Sequence, residues 1–151
     1  MQQKPAPTPE FQISEIKDVV VRDLRKFDDQ RGWLIELFRH DELAAEFFPT
    51  MAYISSTRPG VARGPHEHVD QADLFCFLGP SNFKFRMWDN RPDSETFKNM
   101  LTLIVGADDP KAVLVPKGVV HRESNASAEP GDLVVVRAGR GESTINVDGP
   151  P

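Results

Sequence analysis

Two short stretches decide the fold: Gly60-Val-Ala-Arg-Gly-Pro-His-Glu-His68 and Val115-Pro-Lys-Gly-Val-Val-His-Arg-Glu-Ser-Asn125. In the first stretch His66 and His68 are two residues apart, so an extended backbone points both imidazoles to the same face. In the second stretch a proline and a glycine predict a tight turn that leads into a strand carrying His121. The two stretches together hold three of the four histidines of the chain, which makes these three the candidate site residues.

In the rest of the chain, the spacing of apolar runs and turn residues is typical of an all-β protein. Runs rich in Val, Ile, Phe and Thr are broken by Gly, Pro, Asp and Asn at intervals of about 8–12 residues. The predicted strands are Asp18–Val21, Trp33–Phe38, Met51–Thr57, Ala72–Leu78, Asn82–Trp88, Met100–Val105, Ala112–Val115, Val119–Arg122 and Leu133–Arg137. One helix is predicted, over Asp41–Phe48 with Asp41 as its N-cap. Many strands and little helix indicate a closed barrel or a sandwich.

Length and composition indicate one folded domain of 151 residues. We expect a flexible Pro-rich tail over residues 1–10, the folded domain over 11–140, and a weakly structured tail over 141–151 that can contain one edge strand. The net charge of −5 without a basic block argues against nucleic-acid binding. The sequence lacks an apolar run long enough for a membrane span and has a single cysteine, Cys76, which together predict a cytoplasmic protein.

Together the two histidine stretches resemble the paired motifs of the cupin family. The first motif is Gly60, then His66-x-His68 and an acidic position occupied by Asp73, and the second is Pro116-x-Gly118-x-x-His121-x-x-x-Asn125. The resemblance implies an all-β cupin fold, a double-stranded β-helix or jelly-roll barrel, with these side chains around its pocket.

Two kinds of chemistry remain open for such a site. Imidazoles and a carboxylate suit a divalent transition metal, so His66, His68, Asp73 and His121 are possible ligands. The alternative is a metal-free polar pocket in which the histidines act as acids, bases or hydrogen-bond donors.

The wider sequence resembles the dTDP-4-dehydrorhamnose 3,5-epimerase family over roughly residues 17–136. The resemblance rests on five segments, Phe27–Phe38, Gly60–His66, Gln71, Trp88–Phe97 and Val115–His121. It implies a metal-free dimeric cupin that epimerises a 4-keto-6-deoxyhexose carried on dTDP. A ketone at C4 acidifies the neighbouring C–H bonds, so a base can remove a proton and an acid can return one to the other face.

The same resemblance implies roles for individual residues. His66 matches the catalytic base and His121 the second histidine of the pocket. Substrate-binding roles are implied for Arg31 and Glu36, which cross from the partner subunit, for Arg63 near the phosphates, and for Gln71 and Arg91. The segment Phe11–Leu24 is expected to help build the homodimer.

The sequence also departs from that family. The family's acid is a tyrosine on the strand after the second histidine, where this chain reads Leu133-Val-Val-Val136, and Asp73 stands where the family has a lysine. Tyr53 is the predicted substitute acid, or else a packed aromatic. The Arg-Gly-x-His-x-His pattern of Arg63–His68 is similar to dTDP-sugar 3,4-ketoisomerases. A metal-dependent cupin enzyme and a catalytically inactive sugar-binding cupin are the two other readings.

Overall fold

The computed structural model describes residues 12–139 and 144–146, with the backbone alone at Gln12–Ile13 and Thr144–Asn146. The predicted N-terminal tail and all but three residues of the predicted C-terminal tail lie outside the described residues. The strands are β1 (Gln12–Ile13), β2 (Val20–Asp23), β3 (Lys26–Asp29), β4 (Gly32–Ile35), β5 (Met51–Thr57), β6 (Ala62–His68), β7 (Gln71–Gly79), β8 (Asn82–Asp89), β9 (Asn99–Gly106), β10 (Lys111–Val115), β11 (Val119–Asn125), β12 (Gly131–Gly139) and β13 (Thr144–Asn146).

Two sheets face each other, in agreement with the predicted jelly-roll barrel. One sheet has the order β1-β9-β8-β11-β6-β13 and the other β2-β10-β7-β12-β5. Alternate residues of β8 point between the sheets, and Phe83, Phe85 and Met87 are fully buried there. Apolar side chains from both sheets fill this space and form the main core.

Strand β7 is buried on both faces. Phe75 and Phe77 belong to the main core, whereas Leu74 and Cys76 face a second cluster on the outside of the sheet. Apolar residues of the segment after β4 cover that cluster. Burial on two faces explains why β7 reads as a continuous apolar run, and burial raises the pKa of the Cys76 thiol to about 12.

The predicted helix over Asp41–Phe48 is wrong. The segment contains two single turns of 3-10 helix, His40–Glu42 and Ala45–Phe47. Asp41 is not an N-cap because its carboxylate accepts hydrogen bonds from the Arg39 guanidinium at 2.9 and 3.1 Å. Neither turn has a side-chain cap, so no capping side chain satisfies the free N–H groups with which a longer helix would begin.

The N-terminal strands pair within their own chain, β1 with β9 and β2 with β10. Next along the chain, β3 and β4 form a separate hairpin. Its side chains are largely exposed, including Trp33 at 53% and Leu34 at 59%. Among the described residues, no helix is both long enough and apolar enough to cross a membrane.

Candidate functional site

A cavity of about 290 Å³ opens between the two sheets at the end where the histidines lie. His66 on β6 and His121 on β11 are direct cross-strand partners. His68 follows on the same face of β6, as its spacing from His66 predicts. The lining is completed by Tyr53, Ser55, Arg63, Phe75, Glu123 and Arg137. The structure therefore brings the three predicted histidines to one cavity.

An irregularity in β6 brings Arg63 to the same cavity. On β11 two steps separate His121 from Glu123, whereas on β6 their partners His66 and Arg63 are three steps apart. The extra residue is a bulge, and it turns Arg63 to the face that His66 already occupies. Gly64 lies in this bulge at φ +90°, and a Cβ there would stand 2.7 Å from the His121 carbonyl oxygen. The motif needs its glycine for this close approach.

The histidines have different surroundings. The His121 ring is buried, lies 4.8 Å from the Phe75 ring and 5.2 Å from the His68 ring between centroids, and has its pKa lowered to about 3 by burial. His66 is only half-buried, at 6.2 Å from His121, and burial also lowers its pKa. Near pH 7 both rings are neutral, so His66 is an accessible group that can accept a proton.

Asp73 is the centre of a buried polar network beside the histidines. It is 1% exposed, and its Oδ2 lies 3.0 Å from His68 Nε2. Its Oδ1 accepts hydrogen bonds from Arg137 Nε and Gln71 Nε2, both at 3.1 Å. Arg137 is also its direct partner across β7 and β12. A half-buried guanidinium at this distance compensates the charge of the buried carboxylate.

Part of the predicted metal-ligand set does come together. One ligand atom from each of His68, Asp73 and His121 falls within 4.8 Å of the others. His66 is not a member of this group. The positive charge of Arg137 on Asp73 works against a cation at the same place, because a metal would have to compete with a hydrogen-bonded guanidinium for the carboxylate.

Tyr53 lies in the cavity wall on the opposite sheet from His66. Its hydroxyl accepts a hydrogen bond from Arg137 at 3.3 Å, and the guanidinium carbon lies 4.8 Å from the centre of its ring. In the register of β5 and β12 it is the partner of Val135, in the strand where the resemblance implies a tyrosine. Burial raises the pKa of Tyr53, so the phenol keeps its proton at neutral pH.

Arg63 lies at the mouth of the cavity, where its side chain is exposed. Two contacts fix it from behind: Nε donates to Thr57 Oγ1 at 2.9 Å and a terminal nitrogen donates to the Ser56 carbonyl at 2.8 Å. A guanidinium held in this way presents its remaining N–H groups to solvent and suits a phosphate group.

Four predicted substrate-binding residues do not reach the histidine cavity within one chain. Arg31 lies in the turn of the exposed hairpin, paired with Asp29 at 2.5 Å. Glu36 follows the hairpin and lines a small surface cavity of about 170 Å³. Gln71 and Arg91 line a different cavity of about 520 Å³. Of the four, Gln71 alone is linked to the site, through Asp73.

Two charged residues of the cavity, Arg137 and Glu123, were not predicted from the sequence. Glu123 is in phase with His121 on β11, so alternation along the strand could have revealed it. It is 6% exposed, and burial raises its pKa to about 8. Arg137 was taken only as the end of a predicted strand, and no local signal in the sequence marks it as the partner of Asp73.

The chain is similar to known proteins in sequence and in fold. A family model described as dTDP-4-dehydrorhamnose 3,5-epimerase matches residues 13–128. The chain is 37% identical over 124 residues to the probable low-salt glycan biosynthesis epimerase Agl13 of Haloferax volcanii, covering 81% of this chain and 78% of that protein. It is 37% identical over 106 residues to the spore coat polysaccharide biosynthesis protein SpsL of Bacillus subtilis, covering 70% and 69%. The crystal structure of the dTDP-4-dehydrorhamnose 3,5-epimerase of Elizabethkingia anophelis superposes with a TM-score of 0.72 at 25% identity, over 89% of this chain and 77% of that one.

Proposed function

Because the chain belongs to the dTDP-4-dehydrorhamnose 3,5-epimerase family and is therefore a carbohydrate epimerase or isomerase, we propose that it acts by enolisation on a dTDP-linked 4-keto-6-deoxyhexose. The observation that carries the proposal is the cavity itself, in which neutral His66 faces a space flanked by Tyr53, Arg137 and Arg63. These groups match the needs of the reaction: a base, an acid, positive charge for an enolate, and a phosphate contact.

His66 is the proposed base. It takes a proton from a carbon next to the C4 ketone, and the electron pair of that C–H bond moves to the ketone oxygen as an enolate. Burial lowers the pKa of His66, so the ring is unprotonated and ready to accept the proton. The buried His121 lies beside it and, with its pKa near 3, supplies neutral hydrogen-bonding atoms rather than charge.

Tyr53 is the proposed acid. It stands on β5 in the five-stranded sheet, whereas His66 stands on β6 in the six-stranded sheet. Groups on opposite walls can act on opposite faces of a bound sugar ring, as inversion of a carbon requires. The Arg137 guanidinium, hydrogen-bonded to the Tyr53 hydroxyl, stabilises the phenolate that forms when the proton is given up.

The nucleotide is proposed to lie outside the cavity. Small-molecule pockets usually occupy about 300–1,000 Å³, so a cavity of about 290 Å³ suits a single sugar ring. Arg63 at the mouth then faces the diphosphate. We also propose a cytoplasmic homodimer in which the β3–β4 hairpin brings Arg31 and Glu36 to the partner's site, consistent with the exposure of Trp33 and Leu34. A monomer in light scattering at micromolar concentration would contradict the dimer.

Solvent exchange tests the reaction directly. In heavy water the wild-type enzyme should introduce deuterium into dTDP-4-keto-6-deoxyglucose at C3, C5 or both, detected by NMR. His66→Asn should slow this exchange by about 10²–10⁴-fold, the usual contribution of general-base catalysis, and leave dTDP binding nearly unchanged. His40→Asn is the matched control because His40 is an exposed histidine away from the cavity and should exchange at the wild-type rate.

Tyr53→Phe separates the two proton transfers. If Tyr53 is the acid, deuterium exchange at the carbon that His66 deprotonates should continue in Tyr53→Phe, while formation of the epimerised product falls. A wild-type enzyme that binds the sugar nucleotide without any deuterium exchange would overturn the enolisation proposal in favour of a sugar-binding protein.

We propose that no metal is required, since Arg137 already compensates the charge of Asp73. The competing reading, a metal-dependent cupin enzyme, is favoured by the proximity of ligand atoms in His68, Asp73 and His121. Elemental analysis distinguishes the two. Stoichiometric metal in the wild type that is lost in His121→Ala would support the metal enzyme, and metal-free active protein would exclude it.

A further inference from the structure

Glu123 is a buried carboxyl group in the histidine cavity that the proposed reaction does not use. It lies on β11 two residues after His121 and on the same face, with its backbone opposite Arg63. Only 6% of the residue is exposed. Its Oε2 atom is fully buried and has no hydrogen-bond partner among the described residues.

The two cations near this carboxyl, Arg63 and Arg137, act on it through their charge, but their observed hydrogen bonds go to other groups. Arg63 donates to Thr57 and to the Ser56 carbonyl. Arg137 donates to Asp73 and to the Tyr53 hydroxyl. Within the chain as described, neither guanidinium forms an ion pair with Glu123. The neighbouring imidazole of His121 is neutral and buried.

A carboxyl group in such a place destabilises the free protein, because a hydrogen bond from its own backbone and the charges of Arg63 and Arg137 replace its lost contacts with water only in part. Buried polar groups without partners are rare in folded proteins, and each one calls for an explanation. Here the missing partner belongs in the cavity, since Glu123 lines the space where the sugar is proposed to bind. Of the polar groups on a 4-keto-6-deoxyhexose ring, the ketone is an acceptor, and the hydroxyls at C2 and C3 can donate.

We propose that Glu123 accepts a hydrogen bond from a hydroxyl group on the ring of the keto sugar and thereby selects hydroxylated sugars over their deoxy counterparts. This inference rests on the proposed function. It assigns Glu123 to substrate recognition, separate from the proton transfers of His66 and Tyr53. A site built around a hydrogen bond to a substrate hydroxyl discriminates strongly against the analogue that lacks it, because the protein group is then left buried and unpaired.

The test combines variants of Glu123 with deoxy substrates. Steady-state kinetics would compare wild type, Glu123→Gln and Glu123→Leu on the dTDP-linked 4-keto-6-deoxyhexose and on analogues lacking the C2 or the C3 hydroxyl. Glu123→Leu should lower kcat/KM for the parent sugar by about 10–100-fold, the effect of one hydrogen bond to a charged or buried carboxyl group. On the analogue that lacks the bonded hydroxyl, wild type and Glu123→Leu should agree within about threefold.

Stability separates recognition from a structural role. Removal of an unpartnered buried carboxyl should leave the melting temperature unchanged or raise it, whereas a structural residue would lower it. If Glu123→Leu does not fold, the nearly isosteric Glu123→Gln still provides the comparison of substrates. Glu129→Gln, at an exposed position, is the matched control and should have wild-type kinetics.

Two results would overturn the inference: full activity of both Glu123 variants on the parent sugar, or an equal loss on the parent and on both deoxy analogues. Failure of the proposed function has a different signature, because the wild type itself would then neither turn over nor exchange deuterium. Active wild type combined with insensitive Glu123 variants refutes the role of Glu123 alone.

Discussion

Two buried carboxyl groups lie on neighbouring strands of the six-stranded sheet and have opposite surroundings. Asp89 ends β8 and is completely buried. Its oxygens accept hydrogen bonds from the Arg91 backbone N–H and guanidinium at 2.9–3.0 Å and from the hydroxyls of Ser94 and Thr96 at 2.6 Å. Glu123 on β11 has a buried oxygen with no partner among the described residues.

The pKa values of the two groups differ accordingly. Burial raises the pKa of Asp89, but the hydrogen bonds from Arg91, Ser94 and Thr96 outweigh burial and hold it near 2. Burial raises the pKa of Glu123 to about 8, because a hydrogen bond from its own backbone and the charges of Arg63 and Arg137 offset burial only in part. A carboxylate satisfied by its own chain stabilises the fold, whereas one left unsatisfied in a cavity is available to a ligand.

The Asp89 network also joins distant parts of the chain. Arg91 donates to the Lys17 carbonyl at 2.7 Å and to the Asp18 carboxylate at 3.1 Å. Thr96 Oγ1 accepts a hydrogen bond from the Lys17 backbone N–H at 3.0 Å. This network therefore attaches the N-terminal segment and the loop after β8 to the barrel, which is a structural role.

The largest loss of stability is expected from Asp89→Ala. It leaves the Arg91 guanidinium and two hydroxyl groups without their acceptor, so the free energy of unfolding should fall by about 3–5 kcal/mol. Urea denaturation at pH 7 measures this loss. Asp93→Ala, an exposed aspartate in the same loop, should change stability by less than about 0.5 kcal/mol. A loss of under about 1 kcal/mol for Asp89→Ala would remove the contrast with Glu123.

A change of pH should alter the free energy of unfolding by an intermediate amount. Glu123 has a higher pKa in the folded than in the unfolded state, where it is near 4.5, so the folded protein binds more protons between these values. Stability from this group is present below about pH 4.5 and is lost as pH rises through 8. Asp89 has the opposite sign: its stabilisation is present above pH 3.8 and is lost as pH falls towards 2.

Urea denaturation at pH 5 and pH 8.5 measures the Glu123 contribution. The wild type should lose about 2–4 kcal/mol more than Glu123→Gln over this range, because glutamine does not titrate. Parallel pH profiles for the two proteins would mean that the Glu123 carboxylate is satisfied in the folded state after all.

The sequence predicted most of the fold because strands with one or two buried faces carry a clear pattern. Met51–Thr57 was predicted with its observed bounds, and β7 and β8 within one residue at each end. Strand β6 was absent from the predicted strands, since its Gly64-Pro65 pair is typical of a turn and the bulge that accommodates it depends on β11. The hairpin strand Lys26–Asp29 was missed because all four of its residues are exposed and leave no apolar alternation.

The site was predicted only in part, for a physical reason. The histidine spacing alone indicated that His66 and His68 share a face, and the cupin resemblance brought His121 to them. Arg137 meets Asp73 through strand pairing between residues 64 positions apart, which no local pattern encodes. The segment around Arg91 contributed to the family resemblance, which implies that Arg91 binds substrate. In the folded chain the Arg91 guanidinium instead forms ion pairs with Asp89 and Asp18.

The smallest change in stability is expected when a serine is replaced by alanine, once in the Asp89 network and once in the histidine cavity. Ser94→Ala removes a 2.6 Å hydrogen bond to ionised Asp89, and hydrogen bonds to charged groups contribute more than those between neutral groups. We expect a loss of about 1–2 kcal/mol by urea denaturation. Ser55→Ala removes the same hydroxyl from the wall of the histidine cavity, which Glu123 also lines. Its stability should change by less than about 0.5 kcal/mol, because free-state stability does not depend on polar groups that await a ligand. Equal losses for the two serines would mean that the cavity is as internally bonded as the Asp89 network, and the distinction between a structural and a ligand-binding carboxyl would then fail.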